Sequence, residues 1–125
     1  MREFQLTVRN RPGSFARVAA ALADVGVGIE VAAGMGRRGE GLIRLVADDP
    51  EKARRVLRSL GVSFEEKDVL VVDVGSTPRE LADMLDRLAT ADVNVESVYA
   101  AVGRNKLVLA VDKLEQAREA LKRPG

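Results

Sequence analysis

At 125 residues, with 46% apolar and 31% charged side chains, the chain has the balance of a folded protein rather than a disordered one. Twenty basic residues against 19 acidic ones leave a net charge of +1, without the basic excess of a phosphate-backbone-binding surface, so no nucleic-acid partner is expected. Cys and His are both absent, which removes thiol nucleophiles, thiolate or imidazole metal sites and the commonest neutral-pH general base. No Ser–Lys or paired-carboxylate arrangement takes their place, so the expectation is no enzyme, no catalytic residue, no metal and no cofactor.

In chain order, Phe4–Arg9 alternates as a strand does, and apolar residues at Phe15, Val18, Ala19, Leu22 and Val25 then follow helical spacing. Between them lies Asn10-Arg11-Pro12-Gly13-Ser14, read as a tight turn with Pro12 in the first helical turn, where its missing N–H has no intrahelical partner. Gly13 bares the helix start to close approach, and the amides there favour a carboxylate or phosphate. The same residues also read as an ordinary strand-to-helix connection. Gly26 ends the helix. Val27, Ile29, Val31, Ala33 and Met35 alternate as a second, half-buried strand, and a hairpin over Gly36–Gly41 leads to a third strand, Leu42–Ala47. Asp49 and Pro50 open a second helix with a stripe of Ala53, Val56, Leu57 and Leu60, stopped by Gly61. Val62–Glu66 reads as a fourth strand, giving βαββαβ.

The pattern then repeats. A shift of 66 superposes Leu6 on Val72, Pro12 on Pro78, Phe15 on Leu81, Leu22 on Leu88 and Ile29 on Val95. After the hairpin the shift becomes 64, superposing Asp48 on Asp112 and Leu57 on Leu121, so the second hairpin, Gly103-Arg104-Asn105-Lys106, is two residues shorter. Two matched faces and one interpretable gap indicate an internal repeat. The expected architecture is α+β: two ferredoxin-like units over 1–67 and 68–125, each an antiparallel sheet with helices on one face. The second unit is expected to stop after its second helix, without a fourth strand. Units of this size have marginal cores, so packing on one another or on a second chain is expected, and Val69 and Val71 fall on an apolar outer face.

Asn10-Arg11-Pro12-Gly13 opening a helix, followed by Asp24-Val25-Gly26-Val27-Gly28-Ile29, resembles the ACT domain family of small regulatory modules that bind amino acids. The family pattern, Asn-x-Pro-Gly and then Gly-Val/Ile-Asn-Ile, is matched except at its second Asn, here Gly28; the second repeat keeps that residue as Asn94. The resemblance implies a ligand-binding set of Asn10, Arg11, Pro12, Gly13, Ser14, Phe15, Gly28, Ile29 and Asn94, with the turn of one unit completed by the second-strand start of another. Asn94 also reads as a plain turn residue. It further implies a non-catalytic sensor of a small amino acid, acting through a partner such as a biosynthetic enzyme. The alternatives are a ligand-free assembly module or a regulatory subunit of an amino-acid biosynthetic enzyme.

The second turn, Ser76-Thr77-Pro78-Arg79-Glu80, reads differently: Thr77 caps, Pro78 suits the first position, and Glu80 supplies the carboxylate of a capping box. In the first turn the cap position falls on Arg11, a poor cap. One receptive turn and one self-satisfied turn are expected. Gly34-Met35-Gly36-Arg37-Arg38-Gly39 fits a dinucleotide fingerprint, but a strand follows it rather than a helix, so a hairpin is the better reading. Phe4, Phe15 and Phe64 fall inward, leaving only Tyr99 for base stacking, which disfavours an RNA-binding sheet. Asp48-Asp49 is too thin for a metal, with Asp49 explained as a cap. The longest apolar run, Val18–Ala23, cannot span a bilayer, and the N-terminus lacks the apolar core of a signal peptide. A cytoplasmic homodimer with no membrane partner is therefore expected.

Overall fold

The alternating N-terminal run forms β1 (Arg2–Arg9), and the amphipathic run after it forms α1 (Ser14–Asp24). Then come β2 (Ile29–Arg37), β3 (Glu40–Ala47), α2 (Pro50–Ser59) and β4 (Ser63–Asp68). The second half follows as β5 (Leu70–Asp73), α3 (Pro78–Thr90), β6 (Val95–Ala101), β7 (Lys106–Val111) and α4 (Leu114–Lys122). This is a computed structural model that describes residues 1–75, 77–101 and 105–122, apart from the side chain of Ala101. The chain divides into two compact units, Arg2–Lys67 and the rest, in which Met1 is grouped with Asp68 onward. Both are α+β, with ferredoxin-like antiparallel sheets of four and three strands. Ser76 and most of the second hairpin, Gly103 and Arg104 included, lie outside the described residues.

In the first unit the strand order is β2-β3-β1-β4, so the crossover from β1 to β2 leaves space for β3 between them. Phe4 and Leu6 of β1, Ile43, Leu45 and Ala47 of β3, Val18 and Leu22 of α1, and Ala53 and Leu57 of α2 form the core. Phe64 of β4 closes it, with its ring 5.9 Å from that of Phe4 and tilted by 53°. The second unit repeats the plan as β5-β7-β6, without a counterpart of β4 among the described residues. Leu70, Leu88, Val93, Leu107, Leu109, Val111 and Ala117 are its core, with Val72 packed against them. On the other face Val69 is buried and Val71 half-buried.

Matched irregularities show how close the repeat is. Both second strands carry a register break at the same place, between Ile29 and Val31 and between Val95 and Ser97. Just before each break, the Gly28 N–H donates to Asp48 Oδ1 and the Asn94 N–H to Asp112 Oδ1, both at 2.9 Å. After each first helix a left-handed residue turns the chain, Gly26 at φ 78° and Asp92 at φ 60°. At the second site Lys113 Nζ donates to the Asp92 carbonyl at 2.6 Å and to its carboxylate at 2.9 Å. That pairing lowers the Asp92 pKa and raises that of Lys113.

The break in β2 corrects one expectation. Simple alternation puts Val31, Ala33 and Met35 on the face of Val27 and Ile29. Past the bulge, however, Val31, Ala33 and Met35 pair with Val46, Arg44 and Leu42, which face away from the helices, while Ala32 and Gly34 take the places opposite Leu45 and Ile43. One extra residue inverts the face of everything after it, and Met35 is 66% exposed. The hairpin is also tighter than Gly36–Gly41: only Arg38 (φ 47°) and Gly39 (φ 81°) lie between the strands, both left-handed as a two-residue hairpin turn requires.

Candidate functional site

The first turn departs from its sequence reading. Helix α1 begins at Ser14 and its N-cap is Gly13, at φ 87° and ψ −9°. Pro12 therefore lies before the helix rather than in its first turn, Arg11 is not the cap, and Ser14 is the first helical residue rather than the third. The Ser14 N–H donates to the Arg11 carbonyl at 3.3 Å, which closes a type II turn with Pro12 and Gly13 in the centre. Pro suits the first central position, and the positive φ of the second needs Gly. Gly13 has no side chain to give, and α1 starts without a side-chain cap and without an acidic residue in its first turn.

Asn10 fixes this turn to the hairpin, since its N–H donates to the Gly39 carbonyl at 2.9 Å. Its side chain lies over β2, where a Cβ on Gly36 would come within 2.5 Å of Asn10 Nδ2. The Asn10 side-chain amide makes no hydrogen bond among the described residues. A cleft of about 330 Å³ opens beside it, lined by Asn10, Arg11, Ser14 and Phe15 on one side and by Gly34, Met35 and Gly36 on the other. Phe15, expected to face inward, is 37% exposed. Gly34 and Gly36 of the strand across the cleft leave room beside the ring, which walls the cleft and is not part of the core cluster.

Asn10 to Phe15 are thus brought together, with Pro12 and Gly13 shaping the turn. Gly28 and Ile29 belong to the same unit but stand at the other end of β2. Ile29 pairs with Ala47, whereas the turn lies by the Arg37–Glu40 end of the hairpin. Eight strand residues separate the two ends, about 25 Å at ~3.3 Å per residue. Gly28 holds tightly to its neighbour: a Cβ there would meet Asp48 Oδ2 at 2.6 Å. Asn94 occupies the equivalent place in the second unit, with its residue exposed and its backbone tied to Asp112.

The second turn satisfies itself. Thr77 is the N-cap of α3, Pro78 is its first residue, and Thr77 Oγ1 accepts from the Glu80 N–H at 3.3 Å. The Glu80 carboxylate folds back to where a Cβ on Gly75 would stand. A carboxylate of the chain thus lies over this turn.

Gly34 and Gly36 were not among the residues indicated by sequence; the bulge that turns them toward Asn10 has no signal in the sequence. Among the described residues no group of acidic side chains could hold a metal ion, and no helix is long and apolar enough to cross a membrane.

The sequence profile described as an ACT domain pair matches residues 1–123. No curated protein sequence matches the chain. Among solved structures, protein BT0572 from Bacteroides thetaiotaomicron superposes with a TM-score of 0.89 at 22% identity, covering 97% of this chain and 85% of that one. The ligand-free regulatory subunit of aspartate kinase from Thermus thermophilus gives 0.75 at 20% identity, with 97% and 87% covered. Its counterpart from Thermus flavus gives 0.70 at 23% identity, with 97% and 88% covered. At these identities the likeness is one of fold.

Proposed function

We propose a function from one premise: the chain belongs to the ACT domain pair family. On our reading it is a non-catalytic regulatory protein that binds a small amino acid at its first strand-to-helix turn. The observation that carries this reading is the difference between the two turns. Helix α1 starts without a side-chain cap beside an open cleft and an Asn10 side-chain amide that has no hydrogen bond among the described residues, whereas α3 is capped by Thr77 and covered by Glu80.

The ligand carboxylate would rest on the amides at the start of α1. Asn10 offers a donor and an acceptor, which suits an α-amino group beside a carboxylate. Phe15 supplies the apolar wall. Gly28 and Ile29 stand too far along β2 to complete this cleft within their own unit, which supports Asn94 as the second-strand residue in the ligand set. Binding would act by linkage, favouring one state of the protein for which the ligand has the higher affinity. Regulatory subunits of aspartate kinase share the fold, so the output we propose is contact with a biosynthetic enzyme. The protein acts as a homodimer in the cytoplasm on this reading.

A thermal-shift panel of the twenty amino acids tests the reading, with Asn10→Ala and Asn94→Ala alongside. The reading requires a specific rise in melting temperature with one amino acid or a few, lost in Asn10→Ala and reduced in Asn94→Ala. A panel without any shift would favour an assembly module that binds no amino acid. A shift that survives Asn10→Ala would move the site elsewhere.

A further inference from the structure

A second cleft, of about 570 Å³, borders the same turn; it shares Val8, Arg9, Arg11 and Ser14 with the first but does not reach Asn10, Phe15 or the glycines of β2. The end of β1, the start of α1 and the loop from α2 to β4 enclose it. Three arginines line it, Arg9, Arg11 and Arg17, with a single acidic residue, Glu40. All three arginines are exposed, and Arg9 and Arg11 form no ion pair among the described residues. Arg17 donates to the Leu60 carbonyl at 3.5 Å, beyond the usual range for such a bond and therefore readily exchanged.

The fold does not demand this charge. At the equivalent place in the second unit a cleft of about 480 Å³ is lined by Asp73, Glu80, Asp83 and Arg87. Under the 66-residue shift, Arg17 becomes Asp83 and Ser14 becomes Glu80. The acidic groups there have occupations of their own. Asp73 pairs with Lys106 at 3.1 Å, Asp83 with Arg79 at 3.6 Å, and Glu80 lies over Gly75. One architecture thus holds an acidic cleft with two of its three carboxylates ion-paired in one copy and a basic cleft, with Arg9 and Arg11 in no ion pair among the described residues, in the other. Three guanidinium groups around one space repel each other, and an anion bearing several acidic oxygens relieves that repulsion while accepting their forked donors.

We infer that the Arg9–Arg11–Arg17 cleft is a second ligand site, taking a small multiply charged anion through clustered phosphoryl or carboxylate oxygens. The two clefts share Arg9 and Arg11, but Arg17 lines only this one and Asn10 only the first, so variants at those two positions tell failure of one reading from failure of the other. Calorimetric titration of the full chain at low salt with pyrophosphate, and separately with succinate, tests it on wild type, Arg17→Gln and Asn10→Ala. Saturable pyrophosphate binding is expected that weakens as sodium chloride is added. In Arg17→Gln its affinity falls about tenfold, the loss of one charge-assisted pair, and in Asn10→Ala it is unchanged. Tighter binding of pyrophosphate assigns a phosphoryl ligand, and tighter binding of succinate a dicarboxylate. Absence of saturable binding by either, or equal affinity in wild type and Arg17→Gln, would overturn the inference. Loss in Asn10→Ala would merge the two clefts into one site and overturn it equally. Arg9→Gln repeats the test should Arg17→Gln melt early.

Discussion

The two strand-to-helix turns occupy the same place in two copies of one unit, yet they resolve the same physical problem in opposite ways. Each must deal with amides at a helix start that have no partner within the helix. The second turn uses its own side chains: Thr77 caps α3, and Glu80 brings a carboxylate over Gly75. The first uses a type II turn through Pro12 and Gly13 and adds neither cap nor acid. The difference lies in a handful of side chains and not in the scaffold, since helix ends, strand bulges and backbone-to-carboxylate bonds recur in both units. In this chain the repeat supplies the frame, and the side chains at the turns separate a helix start without a side-chain cap from a capped one.

That comparison can be pressed at several points. The largest effect is expected where the units are alike. Leu22 and Leu88 are equivalent and fully buried, so Leu22→Ala and Leu88→Ala should each cost about 2–5 kcal/mol. Urea unfolding followed by residue-resolved hydrogen exchange would show each loss in its own unit; a tolerated change at either position would mean that the cores are not equivalent.

Next comes a feature of the first unit that has no counterpart among the described residues of the second. Glu66 of β4 accepts from Arg54 at 2.6 and 2.7 Å and from Arg2 at 3.2 Å. The bonds from Arg54, followed by that from Arg2, hold its pKa down at about 2 against the usual 4.5. A carboxylate with a depressed folded-state pKa stabilises fully above its unfolded value, and that stability is lost as pH falls through the folded one. The window is therefore pH 4.5 down to about 2, and the contribution at neutral pH is on the order of 2 kcal/mol after allowance for screening. Acid unfolding of Glu66→Gln should show a flatter pH dependence in that window than wild type. An unchanged slope would remove the ion cluster from the account.

Smaller effects separate the turns themselves. Thr77→Ala should destabilise by about 1 kcal/mol through loss of the cap, while Arg11→Ala, at a position that caps nothing, should leave stability within about 0.5 kcal/mol of wild type. Equal losses in denaturant melts would contradict the asymmetry. Gly13→Ala should cost about 1 kcal/mol, because an L-residue is strained at φ 87° although no atom obstructs the new Cβ. Gly75→Ala displaces only the flexible end of Glu80 and should cost less. The reverse ranking would mean that Glu80 is held more firmly than its geometry shows.

Much of this was legible in the sequence. The repeat could be read because core positions such as Leu6, Leu22 and Leu57 keep their spacing while their surroundings change. Caps at Asp49 and Thr77 could be read because a side-chain oxygen before Pro has few other uses. What could not be read depended on a local choice with two solutions of similar cost. Pro12-Gly13 fits both a helix start at Pro12 and a type II turn ahead of Ser14, and the positive φ of Gly13 decides between them. The bulge at Glu30 carries no composition signal, yet it inverts Val31 to Arg37 and places Gly34 and Gly36 beside Asn10. Phe15 fits the helical stripe, yet it stands 37% exposed at the edge of the cleft and outside the core cluster.

The central claim is that the first turn receives a ligand and the second does not. Titrating the isotope-labelled full chain with the amino acid that raises its melting temperature most, and following backbone amides by NMR, tests this most directly. The account predicts saturating shifts at Gly13, Ser14, Phe15 and Ala16, with Arg79 and Glu80 unmoved. Saturating shifts centred on Arg79 and Glu80, with the first turn silent, would contradict it.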